Sequence, residues 1–308
     1  METGPVRRDR IDALGAATLI GFSLLMGLNQ SLVVLVNQGM SPLAQAGLRS
    51  AAAILPVLLF ANLAGRRLSL SDGTLGPGLV AGLLFSTEFA MLFKALEYTS
   101  VGRASIFFYT MPFWVALAAH WLIPGERLTV AKVFGLALAL AGVVLALADR
   151  SAVPGAEAWI GDLLCLCAAF SWAVLALMMR LTRLSTARPE MQLLYQLGVS
   201  ALLLTALGAA TGPVLREMTP LLWGIFTFQV LVVVSIGFLG WFWVLSVYPA
   251  AQMASFGFLA PVFGVAFGWL ILGEPVGISL LLALVLVGAG IFLVNWRPGR
   301  GQASATVK

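Results

Sequence analysis

An internal repeat constrains the fold of this chain more than any other feature of its sequence. Residues 98–144 and 248–292 share one order of features: a tyrosine, a run of small residues, a proline in an apolar segment, a Gly-Glu pair and an apolar segment containing glycine. The equivalent residues are Pro112 and Pro261, Glu126 and Glu274, and Gly142 and Gly290. Their separations are 149, 148 and 148 residues. A constant offset of about half the chain predicts two copies of one structural unit.

The composition indicates a membrane protein. Of the 308 residues, 60% are hydrophobic and 10% are charged, whereas a soluble domain carries about 25% charged residues. Several apolar runs exceed the roughly 18–20 residues that a helix needs to cross a bilayer. The basic residues that give the net charge of +5 lie between these runs. They are therefore typical of cytoplasmic loops, not of a nucleic-acid-binding surface.

Ten apolar helices are predicted, separated by short breaks rich in Gly, Pro, Ser and Asp. Their ranges are 13–36, 42–63, 75–98, 103–122, 130–147, 158–179, 190–210, 221–247, 250–272 and 276–294. We expect a cytoplasmic segment at 1–12, a first five-helix repeat at 13–149, a second at 158–296 and a disordered cytoplasmic tail at 297–308. The predicted fold class is all-α and polytopic, with ten transmembrane helices around a central cavity.

The distribution of Lys and Arg predicts the orientation. With the amino terminus inside, 13 of these residues fall on the inner side and three on the outer side, namely Arg103, Arg150 and Arg216. Both termini are then cytoplasmic. Because each repeat contains five helices, an odd number, the second copy enters the membrane inverted. Inverted repeats are typical of alternating-access transporters, whose substrate sites lie near the midplane between the halves.

Several motifs resemble one transporter family. In the first half they are ALEYTSVGRASIF, MPFW, GERLT and FGLALALAGVVL; in the second they are GDLLCLCAAFSWAV, WVLSVYPAAQMASFGFLAPVFGV, LGEPV and LVGAGIFLV. With these motifs the chain resembles the drug/metabolite transporter superfamily, specifically its ten-helix EamA-type members. Arg49 also matches a family position. The resemblance implies transport of small organic solutes across a bacterial inner (plasma) membrane, as by amino-acid exporters of the YddG type.

Glu88 is the most informative candidate for the substrate site. With the third helix ending at residue 98, it lies about 15 Å from the outer helix end, too deep to reach water. A carboxylate there costs about 2.5–3.5 kcal/mol, so it should face a cavity or a partner. Phe85 and Phe89 flank it, and such a site suits an ammonium group or a proton. The alternative is a structural Glu88, protonated or hydrogen-bonded to Asn29 or Gln30.

Arg49 is the second buried charge, about 10 Å from the outer end of its helix. Its guanidinium would bind a substrate carboxylate or, as the favoured alternative, brace the fold. Lys94 lies near a helix end and is predicted to pair with Glu97.

Other candidates follow from the repeat and from the family resemblance. Pro112 and Pro261 each remove a helical donor. This predicts either a tolerated kink that neighbouring helices satisfy or, as the functional interpretation, helices that bend as gates. The Gly-Glu pairs are predicted to cap the helices that follow them. The remaining substrate-site candidates are Tyr109, Met111, Trp172, Phe238, Gln229 and Ser255.

The predicted function is secondary transport. The sequence has no Walker loop, HExxH, CxxC or Ser-His-Asp spacing, so we expect no enzyme, metal or cofactor and no ATP-driven pump. The preferred substrates are small amphipathic metabolites, best represented by amino acids with apolar or aromatic side chains. Export of cationic or lipophilic drugs is the alternative, and a channel or an intramembrane lipid-handling protein is less favoured. The expected partners are a small-molecule substrate and the lipid bilayer, without nucleic acid, and the expected state is a monomer.

Overall fold

The computed structural model describes residues 12–66, 68–124, 127–148, 155–248, 256 and 259–295, and every regular element in these ranges is helical. The predicted tail at 297–308 and the candidates Glu126 and Ser255 lie outside the described residues. The helices of the first half are α1 (Ala13–Asn37), α2 (Pro42–Leu63), α3 (Leu75–Ala95), α4 (Val101–Phe108), α5 (Met111–Leu122) and α6 (Val130–Ala148). Those of the second half are α7 (Ala158–Leu181), α8 (Pro189–Thr211), α9 (Pro220–Phe228), a π-helical segment (Gln229–Gly237), α10 (Phe238–Val247), α11 (Leu259–Leu272) and α12 (Ile278–Asn295).

Eight helical stretches of the described chain are long and apolar enough to cross a bilayer. Six are single helices, and two are composite: α4 with α5 (Val101–Leu122), and α9 with the π-helical segment (Pro220–Trp241). The shorter apolar helices Leu259–Leu272 and Ile278–Val294 follow as the ninth and tenth spans. The predicted all-α polytopic membrane fold is confirmed, and each of the ten predicted spans corresponds to a described helix.

The contacts between the spans are symmetric: a contact between two spans recurs between their equivalents in the other half. Span 5 packs on its equivalent, span 10, through α6 and α12, and spans 2 and 7 do the same through α2 and α8. The contact of α3 with α7 (spans 3 and 6) has its counterpart in α1 with α10 and the π-helical segment (spans 1 and 8). The contact of α1 with α11 matches that of α7 with α4 and α5. Such paired contacts are what two copies of one unit produce.

Glycines repeated in the sequence allow α6 and α12 to approach closely. A β-carbon on Gly290 would lie 2.6 Å from the Gly135 carbonyl oxygen, and one on Gly142 would lie 2.8 Å from the Ala283 carbonyl oxygen. Both neighbours are backbone atoms, so any larger residue would force the helices apart. Small residues at such crossings bring membrane helices into van der Waals contact, which drives their association in lipid.

The fourth span is broken, so the predicted continuous helix at 103–122 is wrong. It begins at Val101 and stops at Phe108, and a new helix starts at Met111. Pro112 falls in the first turn of this second helix, where the N–H that proline lacks would have no intrahelical partner. The Thr110 hydroxyl donates to the Phe107 carbonyl oxygen at 2.7 Å and so satisfies part of the interrupted backbone. The proline thus ends one helix and begins another.

The eighth span contains nine residues of π-helix, Gln229–Gly237, where a regular helix was expected at 221–247. The Ser235 hydroxyl donates to the carbonyl oxygen of Val230 at 2.8 Å within this segment. π-Helical turns widen a helix and occur frequently at functional sites. No sequence signal predicted this one.

The helical bundle has two ends, which we call the terminal face and the distal face. The terminal face is the end at which Asp12, the N-cap of α1, lies; its carboxylate accepts hydrogen bonds from the Gly15 amide and from the Tyr248 hydroxyl. The distal face is the opposite end, where α3 ends and α4 begins. Glu274, in the connection between α11 and α12, also lies at the distal face.

Candidate functional site

Five polar side chains meet inside the bundle, and we call them the central polar cluster. They are Asn29 from α1, Gln45 and Arg49 from α2, Glu88 from α3 and Gln229 from the π-helical segment. Arg49 and Glu88 are only 3% and 2% exposed. Ionisable residues held this deep in a membrane helix mark substrate and ion pathways.

Hydrogen bonds join the cluster across the two halves. The Gln45 Nε2 atom donates to Gln229 Oε1 at 3.1 Å, and Gln229 Nε2 donates to Asn29 Oδ1 at 3.4 Å. The Arg49 Nη1 atom donates to the same Asn29 oxygen at 3.3 Å. Gln229 belongs to the second half and the other members to the first, so these hydrogen bonds join the two halves.

Glu88 and Arg49 lie at matching depths. Glu88 is seven residues from the end of α3 at Ala95, and Arg49 is seven residues from the start of α2 at Pro42. Each is therefore about 10 Å of helix from the distal face. The predicted depth of about 15 Å for Glu88 is wrong because α3 ends at Ala95 and not at residue 98.

The Arg49 guanidinium packs against two aromatic rings. Its Cζ atom lies 4.9 Å from the ring centroid of Phe89 and 4.7 Å from that of Phe93. The Phe89 ring in turn packs on Phe85, with centroids 4.3 Å apart. Stacking of this kind stabilises a desolvated cation by about 2 kcal/mol or more. Phe89, one of the two predicted aromatic neighbours of Glu88, therefore also packs against Arg49.

Glu88 lies within electrostatic range of Arg49. Its buried Oε2 atom accepts no hydrogen bond within the described part of the chain. Among the described residues, neither Asn29 nor Gln30 donates a side-chain hydrogen bond to Glu88. Asn29 Oδ1 accepts from Arg49, and Gln30 Oε1 accepts from the Ser105 hydroxyl at 2.7 Å.

The break in the fourth span lies beside Glu88. Tyr109, which occupies the break, is buried and lies within range of the Glu88 charge. The residue that precedes α5, Thr110, makes no side-chain cap, so the first N–H groups of α5 lack that partner. Interrupted helices next to a buried ionisable residue are typical of transporter substrate sites.

The remaining sequence candidates are distributed unevenly. Met111 and Trp172 are half-buried and pack against the same apolar core as Tyr109. Phe238 instead meets the ring of Phe22, at 6.2 Å between centroids, and packs with a separate apolar cluster. Pro261 is buried in α11; the carbonyl that it was predicted to release, that of residue 257, is outside the described residues, as is Ser255.

A carboxylate connects the two halves at the distal face. Glu274 Oε1 accepts from the Val101 amide at 2.6 Å, and Oε2 accepts from the Gly102 amide at 3.0 Å. A β-carbon on Gly268 would lie 2.5 Å from Oε2, so the carboxylate is seated directly against α11. Burial raises the pKa of the Glu274 carboxyl, and the two amide hydrogen bonds oppose that increase. The predicted cap is present, but Glu274 caps α4 of the other half and not the helix that follows it.

A buried ion pair ties α4 to α7 just below this closure. Arg103 Nη2 lies 2.6 Å from Asp162 Oδ2, and Arg103 Nε donates to Oδ1 at 3.2 Å. The Thr99 hydroxyl donates to the same Oδ1 atom at 2.7 Å. Arg103, which the sequence analysis placed on the outer side, lies in the first turn of α4 at the distal face. The predicted pair of Lys94 with Glu97 is present nearby at the surface.

Sequence reasoning missed Asp162 and Gln45, and it considered Asn29 only as a partner of Glu88. All three are polar residues within apolar spans, which is the signal that singled out Glu88 and Arg49. Asp162 was overlooked because it lies four residues into its helix, where a carboxylate is ordinarily explained by the helix dipole.

Comparison with known proteins identifies the family. The model of the EamA-like transporter family matches residues 13–148 and again residues 159–296. The chain belongs to the EamA-like transporter family. The two matches fall on the two halves of the internal repeat, and this family member is a membrane transporter and not an enzyme.

Relatives and a solved structure agree with this assignment. The chain is 30% identical over 293 residues to the uncharacterized transporter YvbV of Bacillus subtilis, covering 94% of both chains. It is 28% identical over 292 residues to a probable amino-acid metabolite efflux pump of Escherichia coli, covering 89% of this chain and 93% of the relative. A crystal structure at 21% identity superimposes with a TM-score of 0.67, covering 91% of this chain and 97% of the other. That likeness concerns the fold.

Proposed function

We propose that this EamA-family protein is a secondary transporter that exports or exchanges small amphipathic metabolites by alternating access. Amino acids with apolar or aromatic side chains are the preferred substrates. The observation that carries the proposal is the burial of Glu88 and Arg49 beside aromatic rings, in a cluster whose hydrogen bonds join the two halves of the repeat. The name of the Escherichia coli relative, which concerns amino-acid metabolites, supports the same substrate class.

Alternating access would use the closure of the distal face. Glu274, bound to the start of α4 and seated against α11, links these two helices at the distal face. Opening requires α4 and α11 to separate, and the broken fourth span and the π-helical segment supply the irregular backbone at which such a movement would occur. The movement would draw its energy from a gradient of substrate or of protons.

We propose that both termini face the cytoplasm of a bacterial cell, so that the distal face is external. The support is the excess of Lys and Arg on the side of the termini. Single cysteines placed at Arg127 and at Glu274 in a cysteine-free background would test the orientation. Membrane-impermeant labelling of intact cells should reach only the position at Glu274, and labelling of both from one side would contradict the inverted arrangement.

Export of cationic or lipophilic drugs is the second candidate. It is favoured by the carboxylate of Glu88 beside Phe85 and Phe89, because a carboxylate near aromatic rings also suits an organic cation. The two candidates differ in whether the substrate must carry a carboxylate for Arg49.

Counterflow in proteoliposomes tests the proposal. Vesicles preloaded with unlabelled phenylalanine should accumulate labelled phenylalanine transiently and saturably, which a channel cannot do. Glu88→Gln should lower the rate by about 10-fold or more, because a charged hydrogen bond contributes roughly 1.5–3 kcal/mol. Glu97→Gln, which changes an exposed carboxylate just beyond the same helix, is the matched control. Wild-type counterflow by a correctly folded Glu88→Gln protein would refute the role of Glu88.

A further inference from the structure

We infer that the central polar cluster is a head-group site for a zwitterionic α-amino acid, in which Arg49 binds the carboxylate and Glu88 with Gln45 binds the ammonium group. This inference rests on the proposed function and deepens it. It states which atoms of the substrate are recognised and which residues recognise them.

Three buried atoms of the cluster lack hydrogen-bond partners within the described residues. They are Gln45 Oε1, Arg49 Nε and Glu88 Oε2. Leaving a buried polar atom unsatisfied costs about 1–3 kcal/mol, and more when the group is charged. Three such atoms in one cluster indicate a site that a ligand completes.

The three residues belong to one neighbourhood. Gln45 and Arg49 are four residues apart on α2, which places them on one face of the helix with β-carbons about 6 Å apart. Arg49 stacks on Phe89, the residue directly after Glu88, and it lies within range of the Glu88 charge. We therefore place the ligand between α2 and α3, which pack against each other.

The three unpaired atoms, one donor and two acceptors, match the carboxylate and the ammonium group of a zwitterion. Arg49 Nε offers one N–H donor, which a carboxylate oxygen accepts. Gln45 Oε1 and Glu88 Oε2 are acceptors, and an ammonium group carries three N–H donors. A bound zwitterion adds no net charge to the buried cluster, whereas a simple cation would leave the Arg49 donor unpaired in a poorly solvated site.

The surroundings fix the guanidinium in place. Asn29 Oδ1 accepts from Arg49 Nη1, and the adjacent rings of Phe89 and Phe93 pack against the guanidinium. Asn29 is thus a positioning residue that acts through Arg49. The neighbouring Phe85 and Tyr109 rings form an apolar environment, which suits an apolar or aromatic side chain of the substrate.

Competition against phenylalanine counterflow tests this assignment. The probes are phenylalaninamide, which lacks the carboxylate, and N-acetylphenylalanine, which lacks the ammonium group. Each should compete about 10- to 100-fold less well than phenylalanine, because each loses at least one charged hydrogen bond.

Variants provide a crossed test that a general folding defect cannot mimic. Arg49→Gln should weaken the binding of phenylalanine. Phenylalanine and phenylalaninamide should then compete equally well, while N-acetylphenylalanine should still compete less well than phenylalanine. In Glu88→Gln, N-acetylphenylalanine should compete as well as phenylalanine, while phenylalaninamide should still compete less well. Gln45→Leu should show the same change as Glu88→Gln, but to a smaller extent. Ser50→Ala, which removes a hydroxyl of α2 that bonds to Ser200 outside the cluster, is the control and should preserve both ratios.

Three results would overturn the inference, and they are distinguishable. Equal competition by phenylalaninamide would favour a cationic substrate, and the transporter proposal would stand. Saturable counterflow that depends on neither head group would also leave the transporter intact but would remove the head-group site. Absence of counterflow for both phenylalanine and organic cations would refute the proposed function itself.

Discussion

Replacing Glu274 should open the distal face of this EamA-family transporter. The Glu274 carboxylate accepts two amide hydrogen bonds at the start of α4, at 2.6 and 3.0 Å. Glu274→Gln keeps the shape of the side chain but removes the charge and presents an NH₂ group to one of the two amides. The loss of one charged hydrogen bond, about 2 kcal/mol, should raise the population of the open state roughly 30-fold.

Cysteine modification measures that population. In a Cys165→Ala, Cys167→Ala background, Val265→Cys would place a thiol on the buried side of α11, where a β-carbon on Gly102 would approach the Val265 side chain to 3.7 Å. When opening is rapid relative to labelling, the labelling rate is proportional to the open population. The rate should therefore rise by about 30-fold in Glu274→Gln.

Two further measurements make this prediction strict. Glu97→Gln removes an exposed carboxylate from the same face and should leave the labelling rate unchanged. Gly268→Ala should raise the rate as well, because its methyl group would lie 2.5 Å from Glu274 Oε2 and displace the carboxylate. If Glu274→Gln labels at the parental rate while remaining folded, the closure does not depend on Glu274.

Two other outcomes follow from the same structure. Asp162→Asn should destabilise the detergent-solubilised protein by about 3–5 kcal/mol in denaturant titrations, because it breaks a buried ion pair; a loss below about 1 kcal/mol, the value for exposed pairs, would refute this. Gly290→Val should lower the melting temperature by forcing α6 and α12 apart, whereas Gly21→Ala, which meets no neighbouring atom within 4 Å, should not.

The sequence by itself determined the membrane fold, for a physical reason. A segment of about 20 apolar residues has one stable conformation in lipid, because only a helix satisfies its own backbone there. Length and composition therefore predict the spans without knowledge of their partners. The same energetic argument singled out Glu88 and Arg49, since a charge within such a segment is expensive wherever the helix packs.

The tertiary structure decided which groups meet. The sequence predicts that Glu274 caps a helix, but the helix that it caps lies 172–173 residues away in the other half. Asp162 pairs with Arg103 across 59 residues, and Gln229 reaches Asn29 across 200. Nothing local in the sequence specifies these partners, because they depend on how the two halves pack.

Local backbone irregularity was also settled by packing. Pro112 predicts a disturbance of the fourth span, but whether it bends the helix or breaks it at Tyr109 depends on what satisfies the released backbone groups. The sequence did not predict the π-helical segment that begins at Gln229, whose first side chain is hydrogen-bonded to Gln45 and Asn29. The sequence therefore determined the helices and the buried charges, and the packing of the two halves determined their partners.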